Sequence, residues 1–498
     1  MPEGLGVKLL GPTGIIVVVT YLMMLLAIGW WGRRARQDNS LSDYYLGNRG
    51  LGFLVLLMTL YATQYSGNTM IGFAAASYRQ GWQFLMALGF MMAVVGCYFV
   101  FAPKLHRLSR REGFITPSDF VAWRFRHRGL TVAVTLIFIV TLANYVLTNL
   151  KAVMEVIETG SGGAYTGELA VIGLAVLMLI YQTLGGMRSV AWTDVLQGLI
   201  LLVGIVTIFI AMEVAYGGLT TTLGSLRTAD YDLWSPPAGA EKVRWFSTLV
   251  LIFFGIAIYP HAIQRIYAAR DSQTLKRSLQ VMVFMPLVTT LLMITVGVVG
   301  AVRFPGLSRD DSEAITLLVL QDIAMQIPAL KFLLTVFLAA VLAAIMSTID
   351  SALLSLSSMF TQDFYRHWRP HLSQAQLTLA GKFFGAGVMA LMVGGAIALP
   401  STIWALIQIK IELLVQAAPA MLLGLHVPRL RAGSILAGLI AGTALTLGLL
   451  LAANFTGESF FSRPFNLHAG LWGLMLNLVT VAVAHKLEVR VFARRASA

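Results

Sequence analysis

Hydrophobic positions in this chain come in blocks of about twenty to thirty, parted by short polar segments, a pattern that suits neither amphipathic surface helices nor alternating strands. A transmembrane helix needs ~20 mostly apolar residues. Stretches free of Asp, Glu, Lys and Arg reach that length at 9–32, 50–78, 80–103, 129–150, 169–187, 245–264, 278–302, 432–457 and 464–484. The segment 383–409 supplies one span up to a break at Pro400 and begins another, which continues through Lys410 and Glu412 to about Leu425. Two more spans hold acids within an apolar run: 189–215 contains Asp194, and 332–360 contains Asp350. The pattern predicts an all-α polytopic membrane protein of about thirteen helices.

Two of these spans are interrupted. The second reads YATQYSGNTMIGF, which puts Gln64, Ser66, Gly67, Asn68 and Thr69 at membrane depth, and the seventh reads FFGIAIYPHAIQRIY, with Gly255 and Pro260 at the break. Irregular backbone inside a bilayer is tolerated only where it is buried in protein or lines a cavity. Counted from the second span, the breaks open two five-helix blocks, 50–215 and 245–425, flanked by a peripheral first helix at 9–32, two peripheral helices at 432–485 and a tail at 486–498. Paired broken helices in corresponding positions are the layout of an inverted-repeat transporter with its site at the repeat interface.

The ninth span reads AAVLAAIMSTIDSALLSLSS, and its Ser347, Ser351 and Ser355 recur every four residues on one helical face, with Thr348 and Asp350 beside them. Such a column of hard oxygens suits sodium. Serines in membrane helices also bond their own i−4 carbonyls and permit close packing, but packing does not require Asp350, and an ionisable group in mid-membrane costs ~3 kcal/mol or more without a partner. Asp194 reads either as an acid in the first turns of a helix, favoured by the macrodipole, or as a ligand facing Asp350. In the eleventh span Gln408, Glu412 and Gln416 form an i, i+4, i+8 stripe from which Lys410 points away. For Lys410 and Glu412 an ion pair to another helix and a solute contact are equally open.

Composition narrows the functional classes. Of 498 residues, 57% are hydrophobic and 12% charged, about half the ~25% charged of a soluble domain. A single cysteine, Cys97, excludes an intramolecular disulfide and a thiolate metal cluster. The net charge of +13 is explained by position: 24 Lys and Arg fall in segments assigned to the cytoplasm and eight in the outer segments. That bias places the N-terminus outside and the C-terminus inside, and no nucleic-acid partner is needed to account for it. The first span runs into Arg33, Arg34 and Arg36 with no cleavage site, so it reads as an anchor. No GxxxxGK[ST] loop occurs, which leaves an ion gradient rather than ATP as the energy source.

At DYYLGNRGLG, ATQYSG, YQTLGGMRSVAWTDVLQG, PHAIQR and AAIMSTIDSALLSLSSMFTQDFY the chain resembles the sodium:solute symporter family, which includes proline, pantothenate, monocarboxylate, sialic acid and sodium/glucose symporters. The resemblance covers most of the sequence. It implies thirteen helices around a five-plus-five inverted-repeat core of the leucine-transporter type, in a bacterial inner membrane. The implied activity is Na+-coupled symport of a small polar organic solute, a carboxylate, amino acid or sugar, into the cell by alternating access, with no enzymatic step and no obligatory protein partner. Carried over residue by residue, the main Na+ site takes the carbonyls of Ala62, Tyr65 and Ala344 and the hydroxyls of Ser347 and Thr348. A second Na+ site, found in part of the family, takes Asp194, Asp350 and Ser351 near Ser347. The solute lies against the broken helices near Gln64, Ser66, Gly67, Asn68 and Thr69, with Phe254, Tyr259, Gln408 and Glu412 as further contacts. Proline-type members carry Asp where this chain has Gln64 and aromatic residues where it has Ile252 and Ile256, a departure that counts against proline. Proton coupling through Asp350 or Glu412, and a solute-sensing receptor of the same fold, are the alternative readings.

Overall fold

The computed structural model describes residues 10–38, 40–217, 221, 224, 235–399 and 403–496, and the side chains of Thr13, Asn68, 403–408, Ser459 and 490–496 lie outside the described set. Its first half runs through α1 (Pro12–Arg34), α2 (Phe53–Gln64), α3 (Ala74–Gln80), α4 (Met86–Glu112), α5 (Arg128–Gly160), α6 (Gly167–Gly185) and α7 (Met187–Tyr216). The second half runs through α8 (Ala240–Ile256), α9 (Pro260–Ala268), α10 (Met285–Arg303), α11 (Ile315–Gln326), α12 (Lys331–Met359), α13 (Gln374–Ala398) and α14 (Ile403–Leu414), before α15 (Ala432–Thr456) and α16 (Ala469–Ala496).

Among the described residues, eleven helices are long and apolar enough to cross a membrane, or twelve when α8 and α9, bent by 48°, count as one span. That differs from the expected thirteen because helical structure continues from Thr69 to Glu112, 44 residues. At 1.5 Å per residue such a run would be roughly 65 Å long, twice the thickness of a hydrocarbon core. Gly81, at φ +58°, turns the chain within it. Divided there, α3 completes the span that α2 begins, α4 forms the next, and the count returns to thirteen.

Each break has a local cause. Tyr65 leaves the helix at φ −106° and ψ 105°, and the chain re-enters through a π-helical turn at Asn68–Phe73, with the Thr69 and Met70 amides donating to the Ser66 carbonyl at 2.9 and 3.2 Å. Gly67 is required by a close approach: a Cβ there would stand 2.5 Å from Cγ1 of Ile345 and 3.1 Å from Cβ of Ala152. The other break ends α8 at Ile256 and restarts at Pro260, whose missing N–H suits the first position of a helix and cannot serve its interior.

The centre of the molecule is α12, whose most apolar stretch is 83% buried, against 22% for α1 and 28% for α15. It packs on α7 and α5. Gly204 of α7 lets that approach happen, since a Cβ there would lie 2.7 Å from Cβ of Ala340. α15 and α16 pack on each other at the periphery. Exposed apolar side chains such as Ile16, Leu169, Phe383 and Phe455 belong to these spans, as expected of helices whose outer faces meet lipid.

Candidate functional site

Where the α2 break meets α12, four of the residues assigned to the main ion site come together. Extended backbone at Tyr65 interrupts the i→i+4 ladder, and the Ala62 carbonyl accepts a hydrogen bond from the Ser347 hydroxyl at 3.1 Å instead. Ser347 also donates to the Ala344 carbonyl at 3.0 Å, and Thr348 donates to the same carbonyl at 3.1 Å. Both hydroxyls are fully buried. Tyr65, which forms the break, packs its ring against that of Tyr61, with centroids 4.8 Å apart and the planes tilted by 43°. The cluster is built from neutral hard oxygens of two helices that otherwise bond to each other, a donor set that fits a monovalent hard cation held partly by unwound carbonyls.

The residues assigned to a second ion site are arranged differently. Asp350 accepts a short hydrogen bond from the Tyr181 hydroxyl, and Asp194 accepts one from Thr59. Between Asp194 and Ser351 stands the guanidinium of Arg265, with Nη2 3.6 Å from the Asp194 carboxylate and donating to Ser351, and Nε 3.2 Å from Thr59. Ser347 points into the main cluster instead. One oxygen of Asp194 and one of Asp350 have no hydrogen-bond partner although both are buried. Ser355, the third serine of the column, donates to Gln264.

Beside the main cluster lies a cavity of about 50 Å³, small enough to be closed around a few waters. Gln64, Ser66, Thr69 and Tyr259 line it, together with Tyr145 and Lys410. Phe73, Phe90, Met91, Leu251, Ile252 and Ile256 form its apolar wall, and Thr248 and His468 close one end. Ser66, which lines the cavity beside Tyr145, follows Tyr65 in the interrupted turn, and this shared turn joins the cavity to the ion cluster. Gly67 faces Ile345 and Ala152 rather than the cavity, and Phe254 packs edge-on against Phe253 at 4.8 Å outside its lining. Asn68 and Gln408 have side chains outside the described set. Glu412 does not line this cavity: its carboxylate is hydrogen-bonded with His468 Nδ1 at 3.0 Å and lines a larger space. Gln416, one turn on, donates to the Gly470 carbonyl at 2.8 Å. The Glu412–Gln416 face therefore meets α16, because that is where α14 needs polar partners, and Lys410 on another face meets the cavity.

Four residues of these clusters are given no site role by sequence pattern. Tyr145 and His468 carry no motif signal; Tyr181 opens YQTLGGMRSVAWTDVLQG but is given no role there, and Arg265 sits in PHAIQR but counts there as a cytoplasmic charge, whereas it is fully buried. Lys410 carried the available signal, a cation inside an apolar span.

Comparison with known proteins agrees with this geometry. The family model described as the sodium:solute symporter family matches residues 44–442, the stretch that holds both broken helices. The sodium/pantothenate symporter of Escherichia coli (strain K12) is 30% identical over 373 residues, 73% of this chain and 75% of that one. The osmoregulated proline transporter OpuE of Bacillus subtilis (strain 168) is 29% identical over 444 residues, covering 87% of this chain and 88% of its own. A solved Na+-coupled sialic acid symporter in a substrate-bound outward-open state superposes with a TM-score of 0.78 at 21% identity, over 96% of this chain and 98% of that one. That likeness shows the fold, an all-helical transporter architecture of the leucine-transporter type.

Proposed function

The chain belongs to the sodium:solute symporter family, and from that premise we propose that Ser347 and Thr348, with the carbonyls of Ala62, Tyr65 and Ala344, hold the sodium that this multi-pass transporter moves together with a small organic solute. It is a sodium-coupled symporter and not an enzyme. One observation carries the ion assignment: Ser347 reaches across from α12 to the Ala62 carbonyl that the α2 break has released.

The coupling follows from shared backbone. Ala62 and Tyr65 on the ion side and Ser66 and Thr69 on the solute side belong to one interrupted turn, so sodium that pins this turn to α12 also fixes the solute-binding groups. Each ligand then strengthens the other by the same factor, as linkage demands. The solute sits at Gln64, Ser66, Thr69 and Tyr259, where Gln64 can both donate and accept; pantothenate and proline are the solutes in the relatives' names. Alternating access follows from relative movement of the broken helices against α12. An outside N-terminus, a cytoplasmic C-terminus and a bacterial inner membrane complete the reading, supported by the Lys and Arg bias.

A second cation belongs to this reading. If Asp194 and Asp350 are both ionised, Arg265 balances one of them and the buried cluster keeps one negative charge, with one orphaned oxygen on each carboxylate. A second sodium, or a proton on Asp350, supplies the missing positive charge.

The test of the main site is thermal stability of the purified protein in NaCl, KCl and choline chloride at equal ionic strength. A ligand bound only to the folded state stabilises it by RT ln(1 + [L]/Kd), roughly 1 kcal/mol or more once its concentration is several times Kd. Sodium-selective stabilisation is expected in the parent and lost in Ser347→Ala/Thr348→Ala. Equal stability in all three salts would contradict the assignment.

A further inference from the structure

Lys410 is 1% exposed on α14, and its Nζ lies 3.5 Å from the centroid of the Tyr145 ring and 5.4 Å from that of Tyr259. Among the described residues no carboxylate comes within 4.0 Å of this ammonium. Glu412, two positions along the same helix, is engaged by His468. An ammonium taken out of water without a counter-ion is strongly disfavoured, and the faces of two phenol rings offset only part of that cost. The cavity therefore holds an amine that carries its charge at low cost only when an anion joins it there.

The approach to the cavity has the same sign. A space of about 1020 Å³ is lined by Arg244, Arg309 and Arg463, with the already engaged Glu412 as its acid. A neighbouring space of about 480 Å³ shares those three arginines and adds Arg79, with Glu241 as its acid, and Thr248 lines both this space and the cavity. Burial, with Arg244 and Arg309 close by, holds Arg463 below the ordinary arginine value. A cleft in which basic groups outnumber acids concentrates anionic ligands.

The geometry points to Lys410 as the residue that sets the solute class, a monocarboxylate of net negative charge whose carboxylate pairs with Nζ. This rests on the reading of the cavity as the solute site. Ser66 and Thr69 offer hydroxyl donors nearby, and Phe73, Phe90 and Ile252 receive an apolar body. A sugar would leave Lys410 uncompensated. A zwitterionic amino acid would bring a second ammonium to a cavity whose nearest acid is occupied.

The experiment uses the purified full chain in NaCl and follows thermal stabilisation by a panel of short monocarboxylates, each beside its primary amide, with neutral sugars and zwitterionic amino acids alongside. At least one carboxylate is expected to bind ~10-fold or more tightly than its amide, since truncating one partner of a buried charge pair weakens binding by that much or more. In Lys410→Met that advantage should fall to about 2-fold or less, while Lys410→Arg keeps part of it; if Lys410→Met does not fold, Lys410→Gln is read in its place. Preference for sugars or zwitterions, stabilisation by none of the carboxylates, or an advantage that survives loss of the ammonium would overturn the proposal. Sodium alone is recorded in the same series. A carboxylate preference that needs Lys410, in a protein indifferent to sodium, would contradict the sodium site and leave the solute class standing.

Discussion

Arg265 donates to Ser351 and Thr59 and faces Asp194 at 3.6 Å with none of its surface exposed, so its removal strands a buried carboxylate. Breaking one partner of a buried pair costs ~3–5 kcal/mol, whereas replacing both is often near neutral. Arg265→Met should therefore lower the thermal midpoint sharply, and adding Asp194→Asn should recover part of the loss. Additive losses in that double-mutant cycle would show that the two groups do not depend on each other. Helical spacing placed Ser347, Ser351 and Ser355 on one face with Thr348 beside Ser347, and in the structure Ser347 bonds to Ala62 and Ala344 and Thr348 to Ala344. Spacing alone does not say what stands opposite a face. That is why Arg265 read as a cytoplasmic charge, and why Glu412 stayed open between an ion pair and a solute contact, whereas it is bonded to His468.

Both helix breaks were legible because they use residues that interrupt helices, Ser66 and Gly67 in one and Gly255 and Pro260 in the other. The division between α3 and α4 was legible only as a change of span, and the structure supplies its cause in the positive φ of Gly81. The α2 break also sets a distance to α12. A methyl at Gly67 would meet Ile345 and Ala152, pushing apart the interface that holds the Ala62–Ser347 contact. Gly67→Ala is expected to weaken sodium-dependent stabilisation by ~10-fold in apparent Kd, a change of about 1.4 kcal/mol. Ile345→Ala in the same chain should restore part of it, because it removes the atoms a Cβ would strike. A Gly67→Ala protein with parental sodium response would mean that this approach does not position the ion site.

Across the whole molecule, the alternation of spans and the placement of Lys and Arg were readable because bilayer thickness and the positive-inside rule act on composition alone. With Arg265 buried, 23 basic residues remain in the segments assigned to the cytoplasm against eight opposite, so the orientation argument keeps its strength. In a Cys97→Ser background, a cysteine at Arg111→Cys should be shielded from a membrane-impermeant maleimide in intact cells, and one at Lys242→Cys should react; the reverse pattern would invert the topology. What composition could not supply is how the interrupted turn of α2 and the serine face of α12 meet, because that depends on tertiary packing. The central claim is that this meeting point binds sodium. Equilibrium binding of radioactive sodium to the purified parent and to Ser347→Ala/Thr348→Ala, with potassium in excess, tests it most directly. Saturable binding in the parent that the double substitution weakens by ~10-fold or more is the predicted result, and saturable binding of equal affinity in both proteins would contradict it.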